Sequence, residues 1–103
     1  MSDPRIDLRS APWREMAPGA RHKVVERSGK RVRLVEFTDA FVERDWCAKG
    51  HTGFVLEGEL ELALENGAVR VGAGDAFATR AGQDKHKARS VGPAAVFVLV
   101  EDI

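Results

Sequence analysis

Glu59-Leu60-Glu61-Leu62-Ala63-Leu64-Glu65, followed at once by Asn66-Gly67, is the stretch that decides the fold. Its composition favours a helix, because Glu, Leu and Ala are all strong helix formers. Its spacing does not. Leu60, Leu62 and Leu64 recur at every second position, with Glu59, Glu61 and Glu65 on the alternate ones. On a strand that alternation sends all three leucines to one face, whereas on a helix it scatters them around the cylinder and leaves no apolar stripe. Asn-Gly is the strongest short hairpin signal, and it leads into a second short apolar segment at 68–71. Period outweighs propensity, and the segment is a strand entering a tight turn.

Outward from this hairpin the chain repeats the same grammar. Segments 22–27 and 31–38 flank Ser28-Gly29-Lys30, a second hairpin. Gly72, Gly74-Asp75 and Gly82 separate short runs at 76–79 and 85–91. Gly92-Pro93 then precedes Val96-Phe97-Val98-Leu99-Val100, a continuous apolar run that predicts a strand buried on both faces, as in a central strand or one covered by a second subunit. Eight or nine short strands at intervals of about ten residues, with no clear helix, define an all-β sandwich or barrel. Residues 1–20 carry Pro4, Pro12 and Pro18 together with Gly19, and so predict an extended arm with short edge strands at most. Ile6, Leu8 and Trp13 are its apolar anchors, for this chain's own barrel or for a partner's. The barrel domain proper is expected over 21–103.

Composition removes several functions. The 103 residues suffice for one domain. Sixteen basic side chains balance sixteen acidic ones, which argues against a nucleic-acid partner. No apolar run approaches the roughly 18 residues of a membrane span, and Met1-Ser2-Asp3-Pro4 does not open a signal peptide. A single cysteine excludes an internal disulfide and agrees with a reducing cytoplasm. The charge is nevertheless segregated: net +5 over residues 1–33, −6 over 34–67 and +1 over 68–103. An acidic middle favours a cation, or is simply a solvated sheet face.

Three histidines and one cysteine are the whole stock of soft or borderline metal ligands. His22, inside Arg21-His22-Lys23, reads as a solvated surface residue. Cys47 and His51 are four apart and share a face on a strand or a helix, while Asp45 joins them only if the segment is extended. His86 is the remaining distant donor. Asp45, Cys47, His51 and His86 are therefore the candidate metal ligands. The same parity turns Trp46, Phe54 and Leu56 away from the site and leaves Gly53 beside it, where a missing side chain makes room for a ligand.

The segment Phe54-Val55-Leu56-Glu57-Gly58-Glu59-Leu60 resembles the first motif of the cupin superfamily, a glycine, five residues, His-x-His, three or four residues, Glu, six residues and a glycine. With Gly58 as the closing glycine, His51 stands at the Glu position and Asp45 and Cys47 at the two His positions. Asp39 replaces the opening glycine. The second motif is matched by Gly74 and Gly82, with Arg80 for its proline, His86 one residue late for its histidine, and Ser90 for its Asn. The resemblance covers residues 30–100 and implies a single-domain cupin barrel, the double-stranded β-helix or jelly roll. Cupins include dioxygenases, isomerases, storage proteins and sugar-binding domains, so fold alone assigns no role.

A thiolate, two imidazoles and a carboxylate form a donor set that zinc accepts; iron is possible, and manganese or magnesium is disfavoured. Three ligands leave one position open, while Asp45 as a fourth closes the site. The expectation is a metal-binding cupin, zinc favoured, that holds or transforms a small polar molecule. The alternative is a metal-free ligand-binding module whose thiol senses oxidation. A third possibility, Cys47 as a nucleophile activated by His51, needs an oxyanion site that the sequence does not display. Limited core area and the apolar 96–100 strand, together with the arms through which cupins commonly dimerise, lead us to expect a homodimer.

Overall fold

The computed structural model describes residues 3–103, and among them every regular element is a strand. These are β1 (Arg14–Ala17), β2 (Ala20–Arg27), β3 (Lys30–Thr38), β4 (His51–Glu57), β5 (Glu59–Leu64), β6 (Gly67–Gly72), β7 (Ala76–Thr79), β8 (His86–Ser90) and β9 (Ala94–Asp102). They form a six-stranded sheet of order β1-β2-β3-β9-β4-β7 and a three-stranded sheet of order β6-β5-β8. Among the described residues the hydrogen-bond ladders remain two sheets and do not run on into one closed barrel.

Both hairpins form, each with a two-residue turn. Ser28 and Gly29, at φ 52° and 75°, link Arg27 to its partner Lys30, the left-handed pair that matches the twist of the flanking strands. In the second, Leu64 pairs with Gly67, so the turn is Glu65-Asn66 and the glycine already belongs to β6. The alternation of β5 is real: Leu60 and Leu62 are buried and the glutamates beside them are half-exposed.

The core lies between the sheets. Val35 and Phe37 of β3, Val55 of β4 and Phe97 and Leu99 of β9 meet Leu60, Leu62 and Ala88 of the smaller sheet. Strand β9 alternates strictly, with Ala95, Phe97, Leu99 and Glu101 buried and Val96, Val98 and Val100 half-buried on the other side. The 96–100 run therefore has one fully covered face within this chain instead of two.

The proline-rich arm packs on its own sheet. Trp13 lies under the Arg21 guanidinium at 4.1 Å, and Lys23 Nζ donates to the carbonyl of Arg9 at 3.0 Å, both on the outer face of β2. Its residues 14–17 add the edge strand β1. His22 is half-buried, with Nδ1 3.4 Å from Arg33 Nη1, and is not the solvated residue its basic neighbours suggested. Burial and the charges of Arg33 and Arg14 lower its pKa below the ordinary histidine value.

Gly58 shows why the β4–β5 junction demands glycine. Its φ is +75°, and a Cβ there would lie 2.2 Å from the Ala94 carbonyl oxygen. This sharp turn sends the chain from the large sheet to the small one.

Candidate metal centre

Between β3 and β4 the chain runs irregularly from residue 39 to 50 along the free edge of β8. Two isolated bridges hold it there, Val42 to Arg89 and Cys47 to His86. At the second, Cys47 N–H donates to the His86 carbonyl at 2.9 Å and His86 N–H to the Cys47 carbonyl at 3.0 Å. Cys47 and His86 are thus cross-chain neighbours, and His51 arrives from the first position of β4. Its N–H donates to Thr79 Oγ1 at 3.0 Å, and that hydroxyl donates to the carbonyl of Lys49.

Cys47 Sγ lies 3.5 Å from His51 Nε2, and one donor atom from each of Cys47, His51 and His86 falls within 4.8 Å of the others. The two imidazoles are buried and meet edge to face, with centroids 5.3 Å apart. His86 Nδ1 donates to the carbonyl of Asp84 at 2.9 Å, which leaves its Nε2 as the free lone pair. Burial lowers the pKa of His51; His86, Arg33 and Lys49 add to this while Glu101 opposes it. A thiol and two imidazoles held together in this way are a set that accepts a tetrahedral metal, whose bonds of about 2.0–2.3 Å place its ligand atoms about three to four ångströms apart.

Of the four expected ligands, the structure brings together Cys47, His51 and His86. Asp45 is exposed and lies outside the cluster, along a surface groove with Glu43 and Arg44. Segment 45–50 is not a strand, so the alternation that aligned Asp45 with Cys47 does not operate there. Trp46, Phe54 and Leu56 point away, each close to half-exposed. Gly53 faces inward, but the room it leaves is taken by the ring of Phe77, whose Cζ would lie 2.3 Å from an added Cβ.

The three side chains open onto a cavity of about 150 Å³, roughly five water molecules at about 30 Å³ each. Phe37, Phe77, Phe97 and Leu99 supply apolar wall, and Glu43 and Arg33 add charge. Ala88 N–H donates to Glu43 Oε1 at 3.0 Å, while burial raises this carboxyl's pKa above its ordinary value. Behind His51, Glu101 Oε2 is 3.5 Å from Nδ1, and Glu101 Oε1 is 2.9 Å from Arg33 Nε. Sequence reading missed Glu43, Arg33 and Glu101. For Glu101 a signal existed: Ala95, Phe97 and Leu99 alternate inward, and a charge at the next inward position calls for a partner.

The cupin-domain family model matches residues 48–100, just over half of the chain, and includes His51 and His86. The chain is a cupin. Solved structures agree at the level of fold. This cupin is similar to KdgF from Halomonas sp., with 22% identity and a TM-score of 0.78 over 97% of this chain and 92% of that one. An RmlC-like cupin from Shewanella frigidimarina gives 14% identity and a TM-score of 0.78 over 98% and 91%. The iron(II) form of HppE gives 15% and 0.75 over 97% of this chain and 61% of its own length. No curated protein matches this cupin at a significant level.

Proposed function

We propose that this cupin binds one divalent metal through Cys47, His51 and His86 and holds or transforms a small polar molecule in the adjoining cavity. The convergence of a thiol and a buried imidazole from segment 47–51 with a second buried imidazole from β8 carries the proposal. Zinc suits this donor set best, and iron, which HppE carries in its FeII form, is the second choice. Such a metal supplies an open position that polarises an oxygen-bearing ligand. The chain does the rest. The Asp84 carbonyl keeps the His86 lone pair on Nε2, the aromatic walls give the cavity an apolar lining, and Glu43 offers a carboxyl of raised pKa for exchanging a proton. Asp45 is left out of the ligand set because its carboxylate is exposed.

The proposal extends to setting. A thiolate ligand favours a reducing cytoplasm. The outer face of the large sheet presents Leu34 beside Val98 and Val98 beside Phe54, with Phe54 and Leu56 44% and 46% exposed, which supports pairing with a second copy. Elemental analysis of the protein with Cys47→Ala and His86→Ala tests the metal. One zinc or iron per chain, lost in both variants, and a Cys47 that alkylates only after chelator is added are the expected results. A parent that takes up no metal from excess zinc, with a thiol indifferent to chelator, overturns the proposal in favour of the metal-free thiol module.

A further inference from the structure

Glu101 stands on β9, the strand between β3 and β4. Gly53 pairs with Leu99 and Thr52 with Val100, so the next step of that register sets Glu101 against His51. On its other side Arg33 pairs with Leu99, diagonal to Glu101. The result is a row of three side chains at the back of the cavity, with His51 and Glu101 6% and 7% exposed and Arg33 17%. The row is under-satisfied. Arg33 Nε is at ion-pair distance, but its N–H misses Glu101 Oε1, and Glu101 Oε2 stands 3.5 Å from His51 Nδ1, too far for a good hydrogen bond. Arg33 Nε, Glu101 Oε1 and His51 Nδ1 are each buried without a hydrogen bond.

Buried polar atoms left in that state cost stability, and their persistence beside a ligand cluster calls for a reason. We infer that Glu101, paired with Arg33, is the positioning residue for His51: when a metal binds, Glu101 closes on the ring, accepts the Nδ1 proton and commits Nε2, the nitrogen facing Cys47 Sγ, to the metal. This rests on the metal reading of Cys47, His51 and His86. The chemistry is that of any imidazole ligand. A neutral ring has one lone pair, so committing Nε2 places the proton on Nδ1, where an anionic acceptor makes Nε2 a stronger donor and stops the ring from rotating. His86 achieves the same commitment with a backbone carbonyl, and one ring nitrogen of each histidine lies within 4.8 Å of the other and of Cys47 Sγ. Glu101 lies outside both cupin motifs, on a strand that contributes no ligand.

The test titrates zinc into protein carrying 15N-histidine and reads ring tautomers by long-range 15N–1H correlation, alongside zinc affinity by competition with a chromophoric chelator. In the parent, zinc is expected to leave His51 with a protonated, slowly exchanging Nδ1 and a metal-bound Nε2. Glu101→Gln, which keeps the shape but loses the charge, is expected to weaken zinc about 10–100-fold. Unchanged affinity in a folded Glu101→Gln variant overturns the inference and leaves the metal reading standing. So does a parent that binds zinc with His51 Nδ1 unprotonated, a result available even if the variant fails to fold. A parent that binds no zinc overturns both.

Discussion

Gly53 and Phe77 face each other across β4 and β7, and the fit between them makes a quantitative prediction. Gly53 has no left-handed φ, so its backbone suits alanine. Only space forbids the methyl. An added Cβ would stand 2.3, 2.5 and 2.8 Å from three tip atoms of the Phe77 ring. Restoring a carbon–carbon contact of about 3.5 Å moves the ring by about 1.2 Å, and the space open to it is the cavity beside the Cys47–His51–His86 cluster. Overpacking of this kind costs about 1–3 kcal/mol. In a Phe77→Ala background the obstacle is gone and the ordinary preference for alanine over glycine in a strand returns, worth about 0.5–1 kcal/mol in the opposite direction. Gly53→Ala is therefore expected to destabilise the parent and stabilise the Phe77→Ala protein, with a coupling of about 1.5–4 kcal/mol. Urea unfolding of the four proteins in chelator, compared at equal m-values, measures it. The same change in both backgrounds would show that Gly53 is required for some reason other than the Phe77 ring.

Gly58→Ala is expected to cost about 3 kcal/mol, a left-handed penalty of 1–2 plus a clash with the Ala94 backbone that no rotamer relieves; a loss under 1 kcal/mol in urea melts refutes that geometry. Arg33→Met leaves Glu101 buried without its cation and is expected to cost about 3–5 kcal/mol, while Arg33→Met with Glu101→Leu recovers most of the loss; equal instability of single and double variants counts against the ion pair. Asp84 accepts from Arg80 N–H and pairs with its guanidinium, contacts that hold its pKa at about 2. A carboxylate depressed on folding contributes stability above its unfolded pKa, and that contribution fades as pH falls from about 4 toward 2. Asp84→Asn should therefore flatten the acid limb of the stability curve, and an unchanged limb argues against the contact.

The strands were legible because alternation is a local property: Leu60, Leu62 and Leu64 declare one face without reference to anything distant. Cys47, His51 and His86 were legible through motif spacing, and the cluster supports that choice geometrically. Asp45 was included by extending strand parity into a segment that is held by a single bridge and follows no alternation. Gly53 was read as room for a ligand because its occupant, Phe77, comes from a strand 24 positions later. Parity turned Glu101 inward, but its pairing with Arg33 and His51 stayed hidden for a similar reason. Their meeting depends on which strand lies between β3 and β4, and no periodicity encodes strand order.

That order has a kinetic meaning. Strands β1, β2 and β3 form one meander, β4 and β7 form another pair, and β9 joins them, with Phe97 pairing Val35 on one side and Val55 on the other. Until β9 arrives, the two halves of the large sheet share no ladder. Assembly must therefore close long loops before it gains their contacts, which sets the refolding timescale of such non-local β proteins at about milliseconds to seconds. Glu101 is delivered by that same strand, so the back wall of the Cys47–His51–His86 cluster exists only once β9 has joined the two halves.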